Sequence, residues 1–294
     1  MTPTSPNMTT ARMPSGTSRK RAALRQLVPR HSALVRLTHW INVFCFSLLL
    51  MTGAQIFNAH PRLYWGEYGA DDDQAWLSVD SLQGPSGYRG AVRLGSLTIA
   101  STGLLGASTE NGALAPRGFP AWLTIPSYQD LAAGRRWHFF FAWLFAINGA
   151  VYLVGGLVRR HFARDLLPTR AELAPAHLAH EVAEHAKLRF PKGEAARRYN
   201  VLQKLTYMGV AFVLLPLMVL TGLTMSPGLD SAFHILLDVF GGRPSARSIH
   251  FICASLLVAF VVVHVVMVLV SGVWNNLRSM ITGRYAIELD GDQS

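Results

Sequence analysis

Four histidines lie in strongly apolar runs of the sequence, and their type and spacing could support chemistry. His39 and His138 open two of these runs, and His250 and His264 stand fourteen residues apart in the last one. Fourteen residues are almost four turns of an α-helix, so both rings leave nearly the same face, roughly 21 Å apart along the axis. Histidine is costly in lipid, where it usually marks a cofactor, an ion path or a relay. One helix can therefore serve two stacked sites, and the hypothesis that fits is two haems, each completed by an imidazole from another helix.

The apolar residues gather in four blocks, as in a membrane protein and not as in a large soluble domain. Half of the residues are hydrophobic and only 15% are charged. Each block is about 20 residues or longer, which is enough to cross roughly 30 Å of hydrocarbon. None contains Asp, Glu, Lys or Arg, and they cover residues 38–57, 137–158, 205–225 and 248–274. The first is too long for a signal peptide and lacks a small-residue cleavage pattern, so we interpret it as a retained helix.

The distribution of charge orients these four spans. A net charge of +10 would suggest nucleic acid in a soluble protein, but here the basic residues concentrate in 1–36 and in the segment between the second and third blocks. Basic loops stay inside, so both termini and segment 159–199 are predicted to be cytoplasmic. Segment 58–134 is comparatively acidic and is predicted to be periplasmic. The sequence thus predicts an all-α four-helix bundle in a bacterial inner membrane, in contact with lipid and with no nucleic-acid partner.

The remaining segments carry weaker patterns. Residues 1–30 are rich in Thr, Ser and Pro and predict a disordered cytoplasmic tail, and residues 286–294 predict a second tail. The periplasmic loop 58–134 is predicted to be irregular, with turns and at most a short hairpin. Its aromatic residues could dock a partner or form a lid over the helices. Only two cysteines occur, Cys45 and Cys253, both inside apolar blocks, which excludes a disulfide framework.

Depth within the membrane decides which histidines can meet. With the amino terminus inside, His39 lies near the cytoplasmic end of its helix and His138 near the periplasmic end of the next. The last helix enters from outside, so His250 lies near the periplasmic end and His264 about four turns deeper. The predicted pairs are therefore His138 with His250 and His39 with His264. Two imidazoles fill both axial positions of a haem iron, which indicates electron transfer and not catalysis at the metal.

Arginine and glycine recur at fixed distances from these histidines. Each arginine of one set lies three residues before a histidine, where it shares a helix face and could reach a haem propionate near the membrane surface; the set is Arg36, Arg135 and Arg247. Arginine also commonly flanks membrane helices, so both interpretations stay open. Gly53 lies fourteen residues after His39, at the depth of the other haem, where a missing side chain would let the macrocycle approach the backbone. Close packing of helices is the alternative.

Several motifs resemble one family, the four-helix di-haem cytochrome b subunits of cytochrome b561 type found with formate dehydrogenases, nickel–iron hydrogenases and thiosulfate reductases. The resemblance covers roughly residues 31–285 and is carried by RLTHW, RRWHFFFAW, YNVLQK, SMITGRY and the spacing of His250 and His264. It implies two b haems and electron transfer between a quinone, menaquinone or ubiquinone, and a partner outside the membrane. It also implies that Asn200, Gln203 and Lys204 of YNVLQK lie beside a quinone; an ordinary polar helix start is the alternative.

The long external segment departs from the formate dehydrogenase and hydrogenase subunits. LYWGEYG and WLTIPSYQDL are similar to the thiosulfate-reductase-type branch, whose relatives are often paired with a periplasmic molybdopterin oxidoreductase. The protein is therefore expected to be the quinone-linked electron-transfer subunit of such a complex. Two alternatives stay open: a stand-alone oxidase, such as one that takes electrons from superoxide, and a haem-free transporter in which the histidines relay protons.

Overall fold

The computed structural model describes residues 24–69, 73–85, 87–110, 112–187, 200–226, 228–229 and 231–289. Its helices are, in chain order, α1 Ala33–Asn58, α2 Leu131–Val158, α3 Pro175–Ala186, α4 Val201–Gly209, α5 Leu215–Thr224, α6 Ile235–Phe240, α7 Arg243–Val270 and α8 Val273–Thr282. Its strands are β1 Leu24–Pro29, β2 Arg62–Leu63, β3 Leu77–Gly84, β4 Gly87–Leu94, β5 Leu97–Ala100, β6 Gly106–Glu110, β7 Ala113–Arg117 and β8 Arg284–Leu289.

Four helical segments in the described residues are long and apolar enough to cross a membrane. They are α1, α2, the composite of α4 and α5 over Val201–Thr224, and α7. The four predicted spans are thus confirmed, and the protein is a multi-pass membrane protein. Each helical span begins several residues before its apolar block, because capping residues and not the lipid boundary set the first turn, as Ser32 does for α1 and Asp130 for α2.

The third span is interrupted near its middle. A π-helical turn, Val210–Leu214, separates α4 from α5, and Pro216 stands in the first turn of α5. Proline lacks an N–H and cannot continue an α-helical ladder, so the backbone adjusts just before it. The π turn is the form that this adjustment takes.

The bundle has two ends, named here by what they carry. The terminal face bears β1, β8, α8 and residues 159–187. The loop face bears residues 59–130 and 225–242. At the terminal face, Phe162–Leu166 form a second π turn, and α3 begins at Pro175. At the loop face, α6 ends at Gly241, whose φ of +70° is the left-handed value that favours glycine.

The two ends of the described chain pair with each other. Strands β1 and β8 are antiparallel, from Leu24 opposite Leu289 to Pro29 opposite Arg284, and they bury Val28 and Ile287. Residues 24–29 fall in the tail predicted to be disordered, and there the structure has a strand instead; its partner residues 286–289 fall in the second predicted tail. The physical reason is that each strand lacks a local partner and gains one only when the fold brings both ends together. Residues 1–23 and 290–294 lie outside the described part.

The segment between α1 and α2 is an ordered β domain and not an irregular loop. Strands β2 to β5 form an antiparallel four-stranded sheet in sequence order, and β6 pairs with β7 as a hairpin. The two layers approach closely at Gly90, where a Cβ atom would lie 1.9 Å from the carbonyl oxygen of Leu105. The expectation of an all-α protein with an irregular loop is therefore corrected: a helical bundle carries a β cap, defined here as residues 59–130, on its loop face.

The β cap is fixed to the bundle by an apolar cluster and by buried hydrogen bonds. Phe57 at the end of α1 packs with Leu63 and Val79 of the cap, and Phe251 of α7 adjoins this cluster. Polar contacts reach the start of α7, because Trp76 Nε1 donates to Ser248 Oγ at 2.9 Å. The cap therefore lies over the end of the bundle that holds His250.

Candidate functional site

The structure brings together the two histidine pairs that helix depth predicted. His138 of α2 and His250 of α7 face each other with ring centres 6.4 Å apart and planes at 62°. His39 of α1 and His264 of α7 do the same at 6.3 Å and 61°. The first, here the outer pair, lies towards the loop face, and the second, the inner pair, lies towards the terminal face.

The spacing of the rings fits one metal ion between each pair. An imidazole nitrogen bonds a transition metal at about 2.0–2.1 Å and lies about 1.1 Å from its own ring centre, so rings on opposite sides of one metal have centres about 6.2–6.4 Å apart. Direct hydrogen bonding would bring the rings closer. The two observed separations agree with each other and with this range. The residues present therefore fit a centre with two axial imidazoles, as in a haem.

Two buried threonines that sequence analysis missed contact the outer pair. Thr52 Oγ1 lies 3.0 Å from His138 Nδ1, and Thr221 Oγ1 lies 2.9 Å from His250 Nδ1. Both threonines have no exposed surface. A signal was present in the sequence, because each is followed by glycine, but a Thr–Gly dipeptide does not reveal which helix it will face.

Gly53 lies against an imidazole of the outer pair. A Cβ atom built on it would be 3.4 Å from His138 Cε1 and 3.8 Å from Nδ1. The depth expected for Gly53 is therefore where the structure places it, and its contact is the His138 ring. Gly222 has the corresponding place in α5, where a Cβ atom would be 3.7 Å from His250 Cε1.

The inner pair has aromatic neighbours. His264 stacks on Phe260, one turn earlier in α7, with ring centres 5.7 Å apart and planes at 27°. Trp40 lies edge-on to His39 at 5.5 Å and donates through Nε1 to the Met280 carbonyl at 3.1 Å. These contacts tie the inner pair to α8 at the terminal face.

The three arginines have different surroundings. Arg36 donates to the carbonyl of Ile281, while its buried Nε has no hydrogen-bond partner among the described residues. Arg247 donates to the His60 carbonyl and lies over the Phe57 ring. Arg135 lies 5.9 Å from the Phe139 ring centre. Of these three arginines, Arg36 is thus the one with a buried N–H donor, at Nε, that has no acceptor among the described residues.

The residues expected beside a quinone form the start of α4. Asn200 is the N-cap: its side chain accepts from the Gln203 N–H at 3.0 Å, and Gln203 returns a bond to the Asn200 N–H. Lys204 Nζ lies 2.8 and 3.0 Å from the two carboxylate oxygens of Glu172. All three side chains therefore have protein partners that account for an ordinary polar helix start. Their role towards a quinone stays a prediction.

Two imidazole pairs within a bundle of four apolar spans define a class of protein, the membrane haem proteins that carry electrons. The family model of prokaryotic cytochrome b561 matches residues 30–283, and the chain belongs to this family. The family predicted from the sequence motifs is thus confirmed, and with it the binding of haem b.

A curated relative covers nearly the same length. It is named as a candidate protein-methionine-sulfoxide reductase subunit, YedZ1, from Azospira oryzae, and is 27% identical over 252 residues, which span 83% of this chain and 92% of the relative. By its name, this relative is a subunit of a reductase.

Proposed function

We propose that this chain is a di-haem cytochrome b that transfers electrons between the quinone pool and an oxidoreductase on the periplasmic side of a bacterial inner membrane. The proposal rests on two histidine pairs at different heights along α7. In each pair, the two imidazole rings have the spacing of two ligands to one metal ion. A bound b haem supplies one-electron chemistry at its iron. His138 and His250 would hold one haem, and His39 and His264 the other.

The chain's own residues restrict the site to electron transfer. Because two imidazoles would hold each haem iron, oxygen or substrate would find no open coordination place there. The β cap covers the loop-face end of the bundle through buried groups such as Ser248. We assign the three arginines of the RxxH pattern, Arg36, Arg135 and Arg247, to the haem propionates, with Arg36 as the strongest case.

The proposed orientation follows from charge. The described parts of the two basic segments, residues 24–36 and 159–187, lie at the terminal face, which is therefore assigned to the cytoplasm, and both termini with it. The β cap is then periplasmic, next to the outer pair. Electrons would enter or leave through the cap, where Trp65, Tyr68 and Trp122 are exposed and available to a partner.

The proposed partner is a periplasmic oxidoreductase, with molybdopterin as its cofactor. Two lines support this class: the resemblance of LYWGEYG and WLTIPSYQDL to thiosulfate-reductase-type subunits, and the name of the Azospira oryzae relative, which points to methionine sulfoxide reduction. Both are reductases of oxidised sulfur. A sulfoxide is therefore the first substrate to test with the complex of this chain and its partner.

Substitution of single ligands tests the haem assignment. Purified wild-type protein should carry two haems per chain, measured against protein concentration after extraction. His264→Ala should remove the inner haem and His138→Ala the outer one, each leaving about one haem per chain with a different reduced spectrum. Both substitutions removing the same spectral component would contradict the pairing, and folded wild-type protein without haem would contradict the proposal.

The quinone assignment is tested separately at Asn200, because this residue also caps α4. Asn200→Ser retains a capping hydroxyl and removes the amide, whereas Asn200→Ala removes both, at a cost of about 0.5–2 kcal/mol. If the amide binds quinone, both variants should slow reduction of the haems by menaquinol or ubiquinol analogues while two haems stay bound. Normal kinetics in Asn200→Ser would assign Asn200 to capping alone.

The partner assignment is distinguished from a stand-alone oxidase by isolation from native membranes. Co-purification of a periplasmic molybdopterin protein, and sulfoxide-dependent oxidation of the reduced haems only in its presence, is the expected result. Rapid reduction of the isolated chain by superoxide, with no associated protein, would favour the oxidase instead.

A further inference from the structure

The Thr–Gly dipeptide of α1 holds one histidine of the outer pair. Thr52 Oγ1 lies 3.0 Å from His138 Nδ1 and also 2.7 Å from the Leu48 carbonyl oxygen, four residues earlier in its own helix. The hydroxyl has a single proton, and the carbonyl can only accept it. Oγ1 is therefore the acceptor for the ring, and Nδ1 carries the proton. This fixes the tautomer of His138 that leaves Nε2 free to bind a metal.

The Thr–Gly dipeptide of α5 holds the other histidine in the same way. Thr221 Oγ1 lies 2.9 Å from His250 Nδ1 and donates to the Leu217 carbonyl at 2.6 Å. By the same count of protons, Nδ1 of His250 is the donor and its Nε2 is free. The two imidazoles that face each other across the outer site are thus prepared alike, from two different helices.

The glycine of each dipeptide lies under the ring that its threonine binds. A Cβ atom on Gly53 would stand 3.4 Å from His138 Cε1, and one on Gly222 would stand 3.7 Å from His250 Cε1. Each glycine thus leaves about the space of one methyl group between its helix and the ring. The hydrogen bond restricts the rotation of the imidazole plane, and the nearby helix limits how far the ring can move towards it.

The inner pair is built differently. No hydrogen bond to a ring nitrogen of His39 or His264 is found within the part of the chain that the structure describes, and aromatic contacts from Trp40 and Phe260 take their place. The two sites thus differ in the one interaction that tunes an imidazole ligand. A hydrogen bond from Nδ1–H makes the ligand more basic, and a more basic ligand favours the ferric state.

We propose that Thr52–Gly53 and Thr221–Gly222 are paired positioning elements that fix the outer ligands and lower the reduction potential of the outer haem. The inference rests on the proposed haem ligation and adds to it a cause for unequal potentials. These are positioning residues, since each acts through a histidine. The Thr–Gly pairs therefore make the two haems chemically distinct.

The test replaces each hydroxyl with a methyl group. Thr52→Val and Thr221→Val remove the hydroxyl acceptor with little change of shape and leave only the backbone carbonyls of Leu49 and Met218 beside the two rings. Thr52→Ser and Thr221→Ser retain the hydroxyl. In a redox titration of the purified protein, the equilibrium constant for reduction of the outer haem should be threefold to tenfold larger in each valine variant. At 59 mV per tenfold, its reduction potential should therefore rise by about 30–60 mV. The serine variants should return to the wild-type potential, and the inner component should not move in any of them.

A third threonine provides the matched control. Thr38 is also buried in α1 and also donates to the carbonyl four residues earlier, Leu34, at 2.9 Å, but among the described residues its hydroxyl has no hydrogen bond to a histidine ring. Thr38→Val should leave both potentials unchanged. An outer potential that stays fixed in Thr52→Val and Thr221→Val, or moves equally in Thr38→Val, would overturn the inference.

Loss of haem is itself informative. If Thr52→Val loses the outer haem and Thr52→Ser keeps it, the hydroxyl is needed for ligation, which supports the inference; loss in both variants contradicts it. Electron paramagnetic resonance of the ferric protein gives an independent readout, because its g values respond to the ring planes, and Gly53→Ala should change the outer signal only. A wild-type protein without haem defeats the proposed function, whereas normal haem content with unmoved potentials defeats this inference alone.

Discussion

At the scale of single residues, a buried hydrogen-bond donor without a partner indicates where an acceptor from a bound group could lie. Arg36 directs one guanidinium N–H to the Ile281 carbonyl and keeps Nε buried and unpaired within the described residues. An unsatisfied buried donor costs about 1–3 kcal/mol or more when charged. A haem propionate three residues from His39 would supply the missing acceptor.

Substitution of Arg36 should change the inner haem selectively. Arg36→Gln removes a positive charge that stabilises the reduced state, so the inner potential should fall by roughly 20–40 mV, a twofold to fivefold change at 59 mV per tenfold. Redox titration of the purified protein measures this. Arg159→Gln removes an exposed charge at the same face and should have little effect. An equal shift in both variants would assign the effect to overall charge.

The histidine pairs could be predicted from the sequence and the threonines could not. Helix rise fixes the depth of each histidine once the orientation is known, so the pairing of His250 with His138 follows from numbers along the chain. Rotation of one helix against its neighbour depends on how all their side chains pack, and this decides that Thr52 faces His138. Sequence spacing contains no such information for α5 and α7.

At the scale of secondary-structure elements, the β cap is the part that sequence analysis misjudged. Hydropathy identifies a membrane-spanning helix, because crossing the hydrocarbon requires about 20 consecutive apolar residues. The strands of the cap are two to eight residues long, and the outermost, β5, is exposed along all four residues. Their stability depends on pairing and on contacts with the ends of α1 and α7, which short patterns do not encode.

The bond from Trp76 to Ser248 should hold the cap on the bundle. Trp76→Phe keeps the aromatic ring and leaves Ser248 Oγ without its donor, at a cost of about 1 kcal/mol. Amide hydrogen exchange in β3 and β4 should become about fivefold faster, with two haems retained. Trp122→Phe, at an exposed site, should leave exchange unchanged. Unchanged exchange in Trp76→Phe would mean that the apolar cluster alone fixes the cap.

The link between Glu172 and Lys204 should make stability depend on pH. The hydrogen bond from Lys204, followed by that from the Thr169 N–H, lowers the pKa of Glu172 below its usual 4.5. A carboxyl group with a lowered pKa stabilises the fold above its unfolded value, and this stabilisation is lost as the pH falls through the folded value.

Glu172→Gln should therefore lower the thermal midpoint at pH 7 by about 1–2 °C, as expected for a partly exposed ion pair. The difference from wild type should shrink as the pH is lowered below 4.5, when followed by loss of the haem absorption band. The control is Glu184→Gln, which breaks a local ion pair with Lys187, three residues later at the end of α3. A difference that persists in acid would contradict the electrostatic cause.

At the scale of the whole molecule, the two faces differ in both structure and charge. The loop face has a folded β domain, and the terminal face has basic connections and a two-stranded sheet. The sequence predicted the number of spans and the crossing order, because both follow from hydropathy and charge. It did not reveal that β1 and β8 pair, since no local pattern relates the two strands.

The proposed orientation can be measured by labelling. Trp122→Cys places a thiol on the loop face and Arg159→Cys one on the terminal face, both at exposed positions. The natural thiols, Cys45 and Cys253, are buried. In right-side-out spheroplasts, a membrane-impermeant maleimide should label Trp122→Cys at once and Arg159→Cys only after permeabilisation. The reverse order would invert the assignment of the two faces.

The pairing of β1 with β8 has a consequence for synthesis on the ribosome. About 255 residues separate Pro29 from its partner Arg284. At about 5–20 residues per second, the nascent first strand waits roughly 13 to 51 s as an unpaired edge before translation delivers the second. A prematurely terminated polypeptide never closes that edge, so an open β1 distinguishes incomplete from finished chains in the cell.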